Sequence, residues 1–509
     1  MRTMIWGGVL PLLLAACATN PGPMPRPDAG LPAAFPAPPG ASAPAAAPGW
    51  QGVFADPALR QLTAAALEHN RDLRLATLKV EAARAQFGIQ RAARLPTVAL
   101  EASGQRERAL AGDERPTTAR SQQLGVNLGL NAFELDLFGR VRSLSDAALA
   151  RYLASEHGQR AARLTLVGAV ADAYFEQRLA RAQRELAERT LADWNQTLAL
   201  VRLQRDAGQG SALDLVQAEG EAAAAEAELQ ARRRALEQAG NALRLLVGTA
   251  LPDTLPPALA LDGPPVATVV PAGLPSQQLL RRPDLQQAEQ LLAAAQAEIG
   301  AARAAFFPQI SLTAAFGIAS PSLDGLFDGQ RRVWRFAPQV GLPLFDGGRL
   351  RQELRLAELR QSEEVTRYER SIQVAFREVA DALAAAATLG PQIGAQSRAV
   401  ASAERRVVLT ELRYRAGLEG RLELLDARRQ HDGAQLALLR LRREELGNAV
   451  ALVLALGGEA AAEAAEAGVA PAGGPGAAIS PAPPPTPVSA RSPPHPAPSA
   501  RARTGTAPG

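Results

Sequence analysis

Apolar and polar positions follow two different periods along this chain, and each period recurs twice in the same order. Leu350, Leu354, Ala357, Val365, Tyr368, Ile372, Val379 and Leu383 fall three or four apart in register, with Arg and Glu between them. That spacing draws one apolar stripe down an amphipathic helix. The pattern stays helical for roughly seventy residues after Arg140 and again after Arg349, which predicts helices on the order of 100 Å long at about 1.5 Å per residue. Each is expected to end at a glycine in the left-handed cap, Gly208 after Ala207 and Gly417 after Ala416, with Ser211 capping the first returning helix. Pro391, flanked by Gly390 and Gly394, is expected to kink or interrupt the second long helix.

Ahead of each long helix the period changes to two. Residues 309–319 and 332–345 carry Ile310, Leu312, Phe316, Trp334, Phe336, Val340 and Leu342 between Gly and Pro boundaries, which predicts two strands. Residues 97–106 and 122–138 are their counterparts, with Val126, Leu128, Leu130 and Ala132 expected on one side. A helix should precede the later pair over residues 284–306 and stop before Pro308, which lacks the donor that a continuing helix needs.

The recurrence is an internal duplication. Asp72-Leu73 matches Asp284-Leu285, Gly88 matches Gly300, Arg91-Ala92-Ala93 matches Arg303-Ala304-Ala305, and Pro96 matches Pro308, all without a gap. Leu137-Phe138-Gly139-Arg140 echoes Leu344-Phe345 followed by Gly348-Arg349, and Arg205-Asp206-Ala207-Gly208 echoes Tyr414-Arg415-Ala416-Gly417. The expected organisation is a signal peptide at 1–16, a Pro/Ala-rich linker at 17–48, one repeat at 49–250, a connecting segment at 251–280, a second repeat at 281–459 and an Ala/Pro/Gly-rich tail at 460–509.

Strands of about ten residues with one apolar side fit tilted membrane strands, and past the N-terminus no apolar run is long enough for a spanning helix. A soluble hairpin on a helical body would show the same alternation. In lipid, four strands cannot close a barrel, and each unpaired backbone group on an open edge costs several kcal/mol. A membrane barrel would therefore be shared between chains. The fold class expected is mostly α with a small β part.

The N-terminus adds a destination. Arg2, a short apolar stretch over residues 5–14 and the small residues of Leu14-Ala15-Ala16-Cys17 form an export signal too short to span a bilayer. Cys17 is the only cysteine, so no intramolecular disulfide forms. Its setting resembles the lipobox of bacterial lipoproteins, where the thiol takes a diacylglycerol and the new N-terminus an acyl chain, each buried methylene contributing about 0.8 kcal/mol. Ala18 follows Cys17, whereas Asp there would retain such a lipoprotein in the inner membrane.

Composition mainly excludes. The formal net charge is +4 and the basic residues are arginine except Lys79, alternating with acids along helical segments rather than forming the basic blocks that bind nucleic acid. His69, His157, His431 and His495 show no metal-ligand spacing, Gly208-Gln209-Gly210 lacks a third glycine, and no nucleophile elbow or P-loop is present, so neither an enzyme nor a metal or other cofactor is expected. Met1, Met4 and Met24 are the only methionines, which leaves no ladder for soft metal ions along the folded body.

Residues 50–456 resemble the TolC-like outer-membrane factor family, in its lipoprotein branch serving resistance-nodulation-division efflux pumps. The likeness rests on Asp56-Pro57-Ala58-Leu59, Glu134-Leu135-Asp136-Leu137-Phe138-Gly139-Arg140 and Leu274-Pro275-Ser276. It rests above all on Arg281-Arg282-Pro283-Asp284-Leu285 with Ala304-Ala305-Phe306-Phe307-Pro308. The resemblance implies a homotrimer with one shared outer-membrane barrel and a long periplasmic helical tunnel. It also implies a membrane-fusion adaptor and an inner-membrane pump as partners, passive exit of drugs or other small molecules, and no cofactor beyond the acyl groups on Cys17. Type I protein secretion and metal export use the same fold. A periplasmic coiled-coil adaptor or scaffold lipoprotein is the reading from another class; it would show one hairpin set in β-domains rather than two duplicated hairpins behind strand pairs.

Leu422-Glu423-Leu424-Leu425-Asp426-Ala427-Arg428-Arg429 resembles the segment lining the periplasmic gate of that family. Leu422, Asp426 and Arg429 share one helical face. In a trimer that face repeats around the axis, giving a carboxylate ring that attracts cations, with Arg429 pairing Asp426 to hold neighbouring helices shut. The same spacing also describes a surface ion pair contributing under about 1 kcal/mol.

Overall fold

The computed structural model describes residues 32, 34–35, 50–111, 117–252, 255–256, 261, 276–327 and 331–458. The expected signal segment, Cys17, nearly all of the linker, most of the connecting segment with Leu274-Pro275, and the tail with His495 lie outside the described residues.

The chain runs α1 (Trp50–Val53), α2 (Pro57–His69), α3 (Arg71–Ala92), β1 (Val98–Ala111), β2 (Thr117–Leu135), α4 (Arg140–Asp206) and α5 (Ala212–Val247), then a 3-10 turn at Ser276–Arg281. The second half repeats the order with α6 (Pro283–Ala304), β3 (Gln309–Ser320), β4 (Arg332–Gly341), α7 (Arg349–Arg415) and α8 (Arg421–Ala455). The two long helices, α4 and α7, have 67 residues each, which corresponds to about 100 Å. Both start at glycines with positive φ, Gly139 and Gly348, and both turn back at Gly208 and Gly417, each at φ +72°. Ser211 accepts from the Leu213 N–H at 3.0 Å and so caps α5.

These helices stand as four columns. The shorter helices α3 and α5 both pack on α4, while α6 and α8 both lie against α4 and α7. The order is thus α3 with α5, then α4, then α6 with α8, then α7. Helix α7 runs unbroken through Pro391. The expected interruption does not occur, since proline costs one backbone bond and the helices flanking α7 hold the rest in line.

The joint between stacked helices is the best-packed region. Trp50, Phe54, Leu59, Leu62, Val167, Val170, Phe175, Leu243, Val247 and Val450 form one buried cluster, and Leu279, Leu285, Tyr368, Ile372, Val379 and Leu452 form another. Asn70 ends α2, caps α3 by accepting from the Leu73 N–H at 2.9 Å, and donates to the Leu246 carbonyl at 2.8 Å. Gly248 closes this joint, because a Cβ there would sit 2.5 Å from the His69 carbonyl oxygen and φ is +77°. Asp56 is fully buried, caps α2, and accepts from the Tyr174 hydroxyl at 2.8 Å with Arg178 3.6 Å away. Burial and the Asp56 hydrogen bond push the Tyr174 phenol up to about 12. Arg282, of the Arg-Arg-Pro-Asp-Leu run, donates to the Ala455 carbonyl at 3.0 Å and pairs with Asp284 at 2.8 Å and Glu378 at 2.7 Å. That run therefore fastens the start of α6 to α7 and to the end of α8.

The four strands form one antiparallel sheet in the order β1-β2-β3-β4. Strand β1 runs further than residues 97–106, and β4 stops at Gly341 instead of reaching Phe345. Pro343 lacks a ladder donor, and Asp346 redirects the chain by accepting from the N–H groups of Gly348 at 3.0 Å and Leu350 at 2.9 Å. The expectation for Ala132 is corrected. The β2–β3 register shifts between Leu130 and Phe133, and Ala132 takes φ +47°, so it belongs to a β-bulge and not to the apolar row of Val126, Leu128 and Leu130.

Candidate functional site

The sheet has two chemically opposite faces. Opposed residues of an antiparallel pair point to the same side, and the register places Leu100 beside Leu128, Leu128 beside Phe316 and Phe316 beside Trp334. Phe336 and Val340 continue this apolar row on β4. Their accessibility is high, with Leu100 at 73% and Trp334 at 75%. The other face carries Glu101, Ser103, Gln105, Asn127, Thr313, Arg335 and Gln339. Asn131 donates to Glu101 at 2.6 Å on that side.

The bulge is what keeps the apolar face continuous. Phe133 pairs with Leu312 and Leu135 with Ile310, and both follow the bulge into the apolar row. Were the same residues to run in strict alternation with no bulge, Phe133 and Leu135 would fall on the polar face. Among the described residues no helix is long and apolar enough to cross a membrane. The surface suited to a hydrocarbon environment is this side of the sheet, and a polar wall lies behind it.

The opposite end of the long helices carries the second candidate site. Leu422 is 64% exposed on the first turn of α8, beside the turn that follows Gly417. Asp426 and Arg429 do not pair with each other. Asp426 accepts from Arg406 of α7 at 3.0 Å and from the Gln430 amide at 3.0 Å, while Arg406 also bonds Gln430. Arg429 lies 3.9 Å from Glu221 of α5. The i, i+3 surface pair that the spacing also describes is therefore not formed within the chain, and α8 makes two ties instead, one within its own hairpin and one to the other hairpin. Nearer competitors for each charge explain the difference.

Arg406 and Glu221 were not marked by any motif. Arg406 meets Asp426 and Glu221 meets Arg429 according to how far each lies from its turn, and an offset count from Gly208 and Gly417 is the sequence signal for it. Beneath the charged layer, Leu425 packs with Trp194 and Ala222, so α4, α5 and α8 share a small apolar contact. Arg428 donates to the Thr197 hydroxyl at 3.2 Å from the same turn of α8.

A little further along α8, Asp432 accepts from the Thr190 hydroxyl at 3.1 Å and lies 3.6 Å from His431. Burial pushes the Asp432 carboxyl above its usual range, and the nearby Asp193 charge adds to this against the opposing pull of Thr190 and His431. His157, between α4 and α6, is pushed down by burial and by Arg160. Among the described residues no group of three or more His, Cys, Asp or Glu is placed to hold a metal ion.

Comparisons with known proteins bear on both ends of the molecule. The profile of the outer membrane efflux protein family matches residues 62–249 and 274–458, one segment in each repeat. The solvent efflux pump outer membrane protein SrpC of Pseudomonas putida is 47% identical over 406 residues, covering 80% of this chain and 86% of that protein. The cation efflux system protein CusC of Escherichia coli O157:H7 is 43% identical over 411 residues, covering 81% of this chain and 88% of that protein. Among solved structures, the open state of the MtrE outer membrane channel of Neisseria gonorrhoeae superposes with a TM-score of 0.78 at 39% identity, covering 87% of this chain and 98% of that one.

Proposed function

Because this chain belongs to the outer membrane efflux protein family, we propose that three copies form the exit duct of a tripartite pump, with one shared β-barrel continued by a periplasmic helical tunnel. The protein is an outer-membrane efflux channel with a TolC-like fold extending into the periplasm. The observation that carries the shared barrel is the sheet itself. It has one apolar face, one polar face and two unpaired edges, β1 and β4, and an unpaired edge is not tolerated in hydrocarbon.

The tunnel follows from the columns. Helix α3 has no buried residue, and Leu75, Leu78 and Ile89 stand exposed along it, a surface that a neighbouring copy would cover. The hairpin tips at Gly208 and Gly417 face away from the sheet by the length of α4 and α7, where a membrane-fusion adaptor fed by an inner-membrane pump would meet them. Leu422, Asp426 and Arg429 form the gate in this reading. Cys17 carries a diacylglycerol and an N-acyl chain, supported by Leu14-Ala15-Ala16-Cys17 and by Ala18.

The cargo proposed is drugs or other small molecules leaving passively. The likeness to a solvent efflux protein supports apolar compounds, and the absence of methionine after Met24 speaks against soft-metal relay. Deleting the gene should raise accumulation of an apolar fluorescent dye in whole cells, and the intact gene should restore its exclusion. Unchanged accumulation, with the adaptor and pump expressed and no second exit duct present, contradicts the reading.

A further inference from the structure

The internal duplication, combined with the observed strand register, specifies how two copies of the chain meet. This inference rests on the shared-barrel reading and goes beyond it to named residue pairs. Arg91-Ala92-Ala93 and Pro96 align without a gap on Arg303-Ala304-Ala305 and Pro308, so Val98 of β1 corresponds to Ile310 of β3, and the two strands correspond residue by residue. Val98 pairs with Leu130 and Ile310 pairs with Val340, so Leu130 of β2 corresponds to Val340 of β4. The β2–β3 interface is therefore an observed template for a β4–β1 interface between copies.

Transferring that register is direct. Leu130 pairs with Ala314, Gly129 with Ala315, Val126 with Ile318 and Gly125 with Ala319. The equivalent pairs are Val340 with Ala102, Gln339 with Ser103, Phe336 with Arg106 and Arg335 with Glu107 of the partner subunit. We propose that β4 of one protomer pairs antiparallel with β1 of the next copy in this register, placing Arg335 opposite Glu107 of the partner subunit on the polar face.

Charge supports the placement independently of the alignment. Arg335 makes no ion pair among the described residues, and neither does Glu107. The transfer used only backbone correspondence, yet it sets these opposite charges face to face, and directly opposed unlike charges stabilise a strand pair where like charges would destabilise it. On the other face, Phe336 falls opposite Arg106 of the partner subunit, whose guanidinium donates to Gln122 of its own strand pair at 2.6 Å, so no like charge or unpaired cation is set against the ring. Exposure agrees as well, since all ten residues of β4 are exposed whereas most of β3 is half-buried.

The register is tested in full-length protein in outer membranes by disulfide formation, checked against single-cysteine controls because Cys17 is the only native cysteine. Gln339→Cys with Ser103→Cys places the two Cα atoms about 4.5–5.5 Å apart, within disulfide reach. Gln339→Cys with Glu101→Cys, or with Gln105→Cys, represents a slip of two and leaves them about 7–8 Å apart. The first pair should give covalent oligomers at least about tenfold faster than either slipped pair. Faster linkage in a slipped pair overturns the register, and no linkage in any pair while the protein remains trimeric overturns the β4–β1 seam. Loss of the trimer in the unmodified parent overturns the shared-barrel reading instead. Glu107→Arg should also lower the temperature at which the trimer dissociates, and adding Arg335→Glu should restore it; absence of rescue removes the ion pair.

Discussion

Arg429 of α8 reaches Glu221 of α5 at 3.9 Å, so a charge from the second helical hairpin rests against the first. Asp426, one turn earlier, is held instead by Arg406 inside its own hairpin at 3.0 Å. The two contacts have different consequences if the tip opens by separating the hairpins.

Arg429→Ala should raise single-channel conductance or open probability in planar bilayers, because it removes the tie that separation must break. Exposed pairs contribute about 0.2–1 kcal/mol, a factor of roughly 1.4–5 in the open-to-closed ratio per protomer. Asp426→Ala should chiefly weaken cation selectivity, since it deletes a carboxylate from each copy while leaving the tie between hairpins in place. Assembled variants that conduct and select like the parent would reduce these residues to a solvated face.

The bulge predicts an assembly phenotype. Inserting one alanine after Ala132 shifts the alternation beyond it and turns Phe133 and Leu135 toward the polar face, so the variant should be lost from the urea-resistant membrane fraction, whereas deleting Ala132 removes the bulge and keeps both on the apolar face. Ala132→Gly should assemble at least as well as the parent, since φ +47° suits glycine and relieves roughly 1–2 kcal/mol of left-handed strain, offset in part by glycine's greater freedom in the unfolded chain. Normal membrane insertion of the lengthened variant would contradict the assignment of faces.

Asp432 predicts a pH dependence. Its carboxyl is raised above its unfolded value, mainly by burial, so the folded state binds the proton more tightly. That penalty on stability is fully present above the raised value and is relieved as pH falls through it toward the ordinary carboxylate range. Asp432→Asn keeps an acceptor for the Thr190 hydroxyl and should raise the thermal midpoint at neutral pH while flattening its rise on mild acidification. The groups facing this carboxyl are Thr190, Asp193 and His431, so His431→Gln serves as the control for imidazole titration. An unchanged pH profile in Asp432→Asn would remove the residue from the titration.

Much of this architecture was legible in the sequence, because it follows from patterns with strong local causes. Helices α4 and α7 begin where Gly139-Arg140 and Gly348-Arg349 change the period from two to about three and a half, and they end at Gly208 and Gly417. The bulge was hidden because Ala132 is apolar and so extends the alternation of Val126, Leu128 and Leu130 past the point where the backbone has shifted; only Phe133 and Leu135 betray the change of phase. The partners of Asp426 and Arg429 were hidden for another reason. A helix periodicity says which residues share a face but not which neighbouring helix lies opposite, and Arg406 and Glu221 come from two different elements. At Pro391 one of the two expected outcomes, an interruption, is overturned, since the flanks of a packed 67-residue helix carry it past a local breaker.

One open sheet per chain, with unpaired edges at β1 and β4, closes into a barrel in the proposed assembly only when copies share it. Native mass spectrometry of the full-length protein, released from detergent micelles after extraction from outer membranes, reads the stoichiometry directly. The account predicts a species of three chains, each heavier than the polypeptide from Cys17 by its acyl groups, that persists under mild activation. A stable folded monomer as the dominant species would contradict it.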